Sequence, residues 1–273
     1  MRVALCQLPV SSEPSINLKR IESALTGARE LGSDLAVFPE SSMVRFSADL
    51  REAAEPLDGP FCTGLSQAAR SSGVALAAGI FTPGPDNRVY NTTVAFDATG
   101  QLVATYRKIH LFDALGSQES ETVAPGSDIV VASLAGAPVG LQICYDIRFP
   151  ELTRALAVAG ARLVTVSAAW AAGTFKEEHW VTLLRARAIE NTVWIAATDQ
   201  VPDPDAKPTR AATGVGRSLL IDPMGVVRCD MGPFAGVAVV EADLSTVDSV
   251  RASLPSLANR REDVFGAVRQ AGA

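Results

Sequence analysis

Cys144 stands where an apolar run of the sequence gives way to a polar turn. Residues 139–143 are typical of a buried strand, and residues 145–149 form a turn that leads to a helix beginning near Pro150. A thiol placed in this way lies near backbone N–H groups, which lower the pKa of a thiol and can bind an oxyanion. We therefore expect Cys144 to be a nucleophile. The cysteines that lack such a turn are expected to be packing residues: Cys6, Cys62 and Cys229.

Two other predicted strands end in charged side chains. Residues 34–40 end in Glu40, and residues 101–108 end in Lys108. Alone, each would be an ordinary turn or edge residue, but ligands of α/β proteins bind at the carboxyl ends of strands. A thiolate needs a positive neighbour, and a hydrolase needs a carboxylate that takes a proton and later activates water. The three strand ends together predict a hydrolytic site, in which Lys108 and the backbone N–H of Tyr145 stabilise a developing oxyanion.

A pairing of cysteine with histidine is the commoner arrangement, and it stays open as the second possibility. The chain has two histidines, His110 and His179. His179 opens an amphipathic stretch, where a packing or capping role is expected. Glu119 lies in a predicted loop, from which it could hold Lys108 or orient a substrate amide. The sequence contains no phosphate-binding loop, dinucleotide fingerprint, serine-hydrolase elbow or metalloprotease helix motif.

Short apolar runs alternate with amphipathic stretches along most of the chain, which predicts an α/β fold. Two predicted hairpins interrupt this rhythm, residues 90–97 with 101–108 and residues 217–222 with 226–230. We expect a sheet-rich core with helices outside it. The other predicted strands are residues 3–8, 35–38, 74–80, 139–143, 163–167, 193–198 and 237–242, and the predicted helices cover residues 16–31 and 61–72 and begin near residues 150 and 177.

The chain is expected to form one domain over residues 1–273, in which residues 253–273 are a C-terminal extension. The polar segment 202–210 contains three prolines and is the best candidate for a mobile rim of the site.

The composition limits the classes of function. The 273 residues carry a net charge of −6, so the clustered Lys and Arg that nucleic-acid binding requires are not expected. Pro9 comes before any long apolar stretch develops, which predicts neither a secretory leader nor a membrane span and indicates a cytoplasmic protein. The scattered cysteines support neither a zinc site nor a disulfide framework. We expect a small-molecule partner, and neither nucleic acid nor a membrane.

The sequence resembles the nitrilase superfamily of carbon–nitrogen hydrolases along nearly its whole length. The resemblance is carried by residues 38–40 (Phe-Pro-Glu), 106–113 (Tyr-Arg-Lys-Ile-His-Leu-Phe-Asp) and 140–152 (Gly-Leu-Gln-Ile-Cys-Tyr-Asp-Ile-Arg-Phe-Pro-Glu-Leu). Three motifs in this order leave little room for a chance match. Supporting matches lie at residues 179–180, 185–191, 216–218, 222–225 and 260–263.

The resemblance implies a fold and a catalytic group. The fold is an α/β four-layer α-β-β-α sandwich of the nitrilase type, assembled as a homodimer or higher homo-oligomer. The implied catalytic triad maps onto Glu40, Lys108 and Cys144, and a second active-site glutamate maps onto Glu119 through the string Gln118-Glu119-Ser120. No cofactor and no metal are implied.

Within the superfamily, residues 144–149 and the His-Trp pair at 179–180 are most similar to amidases that act on ω-amides of 2-oxo acids or on deaminated glutathione. Such substrates carry a carboxylate, which requires a local cation in an acidic chain. The candidates for that cation are Arg148, Lys176 and Arg217, and the residues expected to bind substrate are Tyr145, Arg148, Trp170 and His179. Trp170 and Phe175 stand where such amidases tend to have small residues, so they are expected to reshape the pocket.

The resulting expectation is an amidase that forms a thioester on Cys144 and releases ammonia or an amine from a small, carboxylate-bearing amide. The alternatives are a nitrilase, an N-carbamoyl amidohydrolase, or a non-catalytic member of the fold that binds a partner.

Overall fold

The computed structural model describes residues 1–204 and 213–264, and within these residues the chain forms twelve strands and six helices. The strands are β1 (Arg2–Gln7), β2 (Leu35–Val37), β3 (Ala75–Pro83), β4 (Val89–Phe96), β5 (Leu102–Arg107), β6 (Val131–Leu134), β7 (Ala137–Ile143), β8 (Leu163–Ala168), β9 (Trp194–Asp199), β10 (Leu219–Ile221), β11 (Val227–Asp230) and β12 (Gly236–Glu241). The helices are α1 (Pro14–Glu30), α2 (Leu50–Ala53), α3 (Pro60–Ser72), α4 (Pro150–Val158), α5 (Lys176–Asn191) and α6 (Ser245–Ser253), and two 3-10 turns span Glu119–Glu121 and Cys144–Arg148.

The described strands form two six-stranded sheets of similar construction. The first sheet has the order β12-β1-β2-β3-β4-β5, and its strands β1, β2 and β3 are parallel. The second sheet has the order β11-β10-β9-β8-β7-β6, and its strands β7, β8 and β9 are parallel. Antiparallel strands complete both sheets on either side. Each sheet therefore presents the carboxyl ends of three parallel strands, which is where α/β proteins place their ligands.

Alternate side chains of each strand face two different apolar layers. Val3 and Leu5 of β1 belong to the core that continues into the second sheet, whereas Ala4 and Cys6 belong to the core beneath α1 and α3. On the other side, α4 packs so closely that a side chain at Gly140 of β7 would contact Leu156. The layers are therefore helices, sheet, sheet and helices, and the prediction of an α-β-β-α sandwich is confirmed.

The predicted hairpins and parallel strands are confirmed to within a few residues. The strand β6 was missed by the sequence analysis because its four residues Val-Ala-Ser-Leu follow a polar stretch and give no clear alternation. Only 202–204 of the predicted rim segment 202–210, and only 253–264 of the predicted extension 253–273, fall in the described residues.

Within the described residues, no helix combines the length and the apolar composition that crossing a bilayer would require.

Candidate active site

Cys144 is the first residue of the 3-10 turn that follows β7. Its φ of 44° lies in the left-handed region, which costs a non-glycine residue on the order of 1–3 kcal/mol and is typical of functional positions. The side chain is buried, and the N–H groups of this first turn have no acceptor within the turn itself. The structure thus gives the thiol the strand-end position that the sequence predicts, beside backbone donors.

Glu40 lies beyond the end of β2 and is fixed from the second sheet. Its Oε2 accepts a hydrogen bond from the N–H of Ala169 at 2.9 Å, and its carbonyl oxygen accepts one from the Gln200 amide at 2.7 Å. The segment packs against the backbone of β3, where a Cβ at Gly79 would lie 2.5 Å from the nitrogen of Ser41. Glycine is therefore required at residue 79 for the Glu40 carboxylate to reach this position.

Lys108 is buried between two carboxylates. Its Nζ lies 2.8 Å from Oε1 of Glu40 and 2.9 Å from Oε2 of Glu119, and it directly follows β5. All three side chains are less than 10 % exposed. A buried ammonium is tolerated only when its charge is paired and hydrogen-bonded, and here two partners serve that purpose. Glu119, which the sequence analysis suggested could hold Lys108, contacts it directly.

Asn91 joins the same cluster, although the sequence analysis did not single it out. Its side-chain amide donates to Oε1 of Glu40 at 2.8 Å and to Oε1 of Glu119 at 3.2 Å. The backbone of Asn91, in β4, accepts a hydrogen bond from the N–H of Lys108 at 2.9 Å. Glu119 is fixed further by the N–H of Phe112, which donates to its Oε2 at 2.7 Å. Asn91 was missed because its side chain approaches Lys108 only once the hairpin has formed.

The electrostatics of the cluster keep the lysine charged. Burial alone would lower the pKa of Lys108, but the carboxylates of Glu119 and Glu40 outweigh that effect and hold its pKa well above the ordinary value. The charges in the cluster are two carboxylates and one ammonium, so the cluster itself is net negative.

The thiol of Cys144 is kept protonated in the same surroundings. Burial raises its pKa well above the ordinary value, and Glu40 raises it further, while Lys108 acts in the opposite direction. A thiol in these surroundings is neutral at rest, and it would have to lose its proton in order to react as a nucleophile.

Asp146, also missed by the sequence analysis, ties the turn of Cys144 to the Lys108 segment. Its Oδ2 accepts from the hydroxyl of Tyr106 at 2.6 Å and from the N–H of Ile143 at 3.0 Å. Its Oδ1 lies 2.8 Å from Nδ1 of His110 and accepts from the N–H of the same residue at 3.0 Å. Tyr106 and His110 flank Lys108 on both sides in the chain. One buried carboxylate thus fixes the two sheets relative to each other next to the site.

Both histidines have contacts other than the thiol. His110 bonds to Asp146 and stacks on Phe149 with ring centroids 3.7 Å apart. His179 is exposed, and its Nδ1 lies 3.4 Å from a guanidinium nitrogen of Arg148. The geometry therefore favours the group of Glu40, Lys108 and Cys144 over a cysteine–histidine pair.

Trp170 forms an aromatic surface that two cations share. Its indole nitrogen donates to the carbonyl of Lys176 at 2.7 Å, and the Lys176 ammonium lies 4.2 Å from the centre of the ring. The guanidinium of Arg148 lies 4.9 Å from the same ring. Tyr145 packs edge-on against Phe112 at 5.0 Å, and its backbone lies next to Cys144. Arg217 forms an ion pair with Asp230 at 2.5 Å, so its charge, unlike those of Arg148 and Lys176, is paired within the part of the protein that the structure describes.

Asp199 is a fully buried carboxylate near these groups, and it too was missed. It accepts from the N–H groups of Trp170, Gln200 and Val215 at 2.7, 2.9 and 2.8 Å. Burial raises its pKa to about 8, even though these hydrogen bonds act to lower it. No group of three or more His, Cys, Asp and Glu in residues 1–204 and 213–264 is arranged to hold a metal ion.

Comparison with known proteins assigns the chain to a family. The model of the carbon-nitrogen hydrolase family matches residues 2–252. This chain belongs to that family, and so to the nitrilase superfamily.

Among its relatives, a carbon–nitrogen hydrolase of Homo sapiens named deaminated glutathione amidase is 37% identical over 280 residues, with 97% of this chain and 83% of that protein covered. A protein of Mycobacterium tuberculosis described as a hydrolase is 41% identical over 271 residues, with 97% of each covered.

Among solved structures, a mutant amidase of Nesterenkonia shows covalent addition of the acetamide moiety of fluoroacetamide at its active-site cysteine. It has a TM-score of 0.82 and 27% identity, with 97% of this chain and 95% of that chain covered. The chain is therefore an enzyme that hydrolyses carbon–nitrogen bonds.

The hydrogen bonds of Asp146 predict that its removal affects both stability and catalysis. Asp146→Ala leaves four donor groups without their carboxylate, and we expect the free energy of unfolding to fall by about 3–5 kcal/mol, as measured by urea unfolding. In Asp146→Asn the side-chain NH2 group replaces an acceptor oxygen and faces hydrogen-bond donors. This disturbs the link between the turn of Cys144 and the Lys108 segment, so we expect kcat to fall more than KM rises. The matched control is Asp128→Ala, an exposed aspartate whose removal should change stability by less than about 0.5 kcal/mol. Equal effects of the two alanine variants would contradict this role.

The raised pKa of Asp199 predicts a pH dependence of stability. The folded protein binds a proton at Asp199 up to a pH of about 8, whereas the unfolded carboxyl loses it near 3.8. The free energy of unfolding therefore falls as the pH rises between these two values, by up to about 1.4 kcal/mol per pH unit. This fall is measured relative to the Asp199→Asn variant, which has no titratable group at this position. Urea unfolding of both proteins across this window measures the difference. A constant difference between them over the whole window would show that folding does not shift this pKa.

Proposed function

We propose that the protein is an amidase in which Cys144 forms a thioester with a small, carboxylate-bearing amide. The observation that carries the proposal is the buried Lys108, which is shared by Glu40 and Glu119 and acts electrostatically on the Cys144 thiol. Nucleophile, base and cation are then present in one place, as covalent hydrolysis of an amide requires.

In the first step the sulfur of Cys144 attacks the amide carbon while its proton passes to Glu40. The need for a base follows from the raised pKa of the thiol, which is not ionised before it reacts. Glu40 is suited to this task because one of its oxygens is held by Ala169, while the other contacts Lys108. Collapse of the tetrahedral intermediate breaks the C–N bond, and the proton moves from Glu40 to the departing amine or ammonia.

The negative charge on the carbonyl oxygen is stabilised during this attack. The Lys108 ammonium remains protonated because its pKa is raised by Glu119 and Glu40, so it can act as a permanent positive charge. The backbone N–H of Tyr145 lies in the first turn after the nucleophile and supplies a second donor. Glu119 holds the Lys108 ammonium through both of its oxygens.

In the second step Glu40 takes a proton from water, and the hydroxide oxygen attacks the thioester carbon. The C–S bond breaks, the acid product leaves, and the sulfur recovers the proton from Glu40. The same carboxylate thus acts as base, acid and base again, and no external group is consumed.

The carboxylate of the substrate is proposed from the cations of the site and from the relatives. Arg148 forms no ion pair within the described part of the chain, and its guanidinium lies over Trp170. Relatives of the chain are named deaminated glutathione amidase, in Escherichia coli among others, and omega-amidase in Danio rerio. We propose that Arg148 contacts the substrate anion, that Trp170 and Tyr145 border it, and that His179 holds Arg148.

The covalent step is tested by substituting the nucleophile and the base. Cys144→Ala should abolish ammonia release, and intact-protein mass spectrometry of wild type quenched during turnover should show an acyl group on Cys144. Glu40→Gln should reduce kcat by about 100- to 10,000-fold, since it removes the general base while keeping the shape of the side chain. Cys229→Ala and Glu22→Gln are the matched controls.

A panel of small amides, nitriles and carbamoyl compounds tests the reaction class. Release of ammonia from nitriles alone would replace the amidase proposal with a nitrilase.

We also propose that the enzyme assembles as a homodimer in the cytoplasm. The assembly is proposed from the resemblance to the family, and Leu115, Phe175 and Phe234, each at least 72 % exposed, are apolar side chains available for a second copy to bury. Light scattering should give twice the mass of the chain at micromolar concentration, and cell fractionation should recover the protein with other cytoplasmic enzymes. A mass equal to one chain would refute the dimer.

A further inference from the structure

Lys176 is a buried lysine that the mechanism above does not use. It is the first residue of α5 and follows Phe175, whose φ of 56° turns the chain sharply into the helix. The side chain is enclosed, and the residue is only 5% exposed. Its carbonyl oxygen accepts the indole N–H of Trp170, so the backbone of Lys176 is fixed to the same aromatic residue that its ammonium covers.

The Lys176 ammonium has aromatic neighbours but no counter-ion. It lies 4.2 Å from the ring centre of Trp170 and 5.0 Å from that of Phe112. In residues 1–204 and 213–264, no carboxylate lies within ion-pair distance of it. A cation–π contact stabilises an ammonium by less than it costs to remove that ammonium from water. Burial accordingly lowers the pKa of Lys176. The charge is thus incompletely compensated in the free protein.

Lys108 differs from Lys176 in this respect. Its charge is already paired with Glu40 and Glu119, so it is not an unpaired cation of the kind that a substrate carboxylate would seek. Those two carboxylates also outnumber the one ammonium and would repel a negatively charged substrate. A carboxylate-bearing amide therefore needs positive charge from elsewhere in the site.

Lys176 can supply that charge close to the reacting atoms. The Lys176 ammonium lies 5.0 Å from the ring centre of Phe112, and that ring packs against Tyr145, the residue that follows Cys144. Arg148 lies over the indole that Lys176 also contacts, and its positive charge disfavours a charged Lys176. Two neighbouring cations without a counter-ion repel each other, and an anion bound between them removes that repulsion.

We propose that Lys176 binds the carboxylate of the substrate and selects amides that carry one over neutral amides of the same length. The proposal rests on the proposed amidase function and makes Lys176 its specificity residue. The carboxylate oxygens accept charge-assisted hydrogen bonds from the ammonium, while the Trp170 indole limits where the substrate chain can lie.

The first measurement compares matched substrates. Succinamate and glutaramate carry a terminal carboxylate, and butanamide and pentanamide have a methyl group in its place. In wild type, kcat/KM for ammonia release should be higher for the acids. Lys176→Met keeps the length and the aromatic contacts without the charge, and the ratio of kcat/KM for acid over neutral amide should fall by about 10- to 100-fold, mainly through KM. Lys176→Arg should restore part of the ratio, and the exposed Lys19→Met should not change it.

A binding measurement makes the outcome independent of turnover. Calorimetric titration of succinate into Cys144→Ala protein, with and without Lys176→Met, should show weaker binding when the ammonium is absent. An acid-over-neutral ratio that is the same in Lys176→Met as in wild type, or unchanged binding of succinate, would overturn the proposal while the amidase function stands. Absence of ammonia release from every amide would reject the amidase function, and the titration would still decide whether Lys176 binds carboxylates.

Discussion

The sharing of one buried ammonium by two carboxylates is the interaction on which the site depends. Lys108 could not be buried without Glu40 and Glu119, because its desolvation would otherwise cost several kcal/mol. The three side chains come from the segments after β2 and β5 and from the 3-10 turn Glu119–Glu121, and Asn91 of β4 joins the carboxylates to one another. Pairing the charge therefore also fixes the relative positions of separate segments of the chain.

The same interaction determines the form of the nucleophile. A thiol beside a lone lysine would be expected to ionise, as thiols near cations do. Here the lysine is accompanied by two carboxylates, and burial together with Glu40 raises the pKa of Cys144. A nucleophile of this kind needs a base, and the histidines are held by other contacts. The raised pKa of the thiol is therefore the physical reason for proposing Glu40 in place of the usual imidazole.

Local sequence patterns were sufficient to predict the positions of those site residues that directly follow a strand. Cys144, Glu40 and Lys108 each follow an apolar run, and each lies where that run predicts. The four-layer sandwich was available only through the resemblance to a family, and the resemblance also placed Glu119 in the active site, where its loop position alone left two roles open. Asn91, Asp146 and Asp199 were not predicted, because each acts on residues far away in the chain: Asp146 accepts from Tyr106 and Asp199 from Val215. A buried polar residue inside an apolar stretch was the one signal that could have identified them.

The proposed catalytic groups are divided between the two sheets. Glu40 and Lys108 follow strands of the first sheet, and Cys144 follows a strand of the second. Hydrogen bonds that cross the interface, from Ser167 to the carbonyl of Phe38 and from Gln200 to that of Glu40, lie next to the site. Under the proposed mechanism, neither sheet alone carries a complete set of groups, so we expect activity only from chains in which the two sheets have docked. Recovery of the reaction during refolding would then report on completed folding.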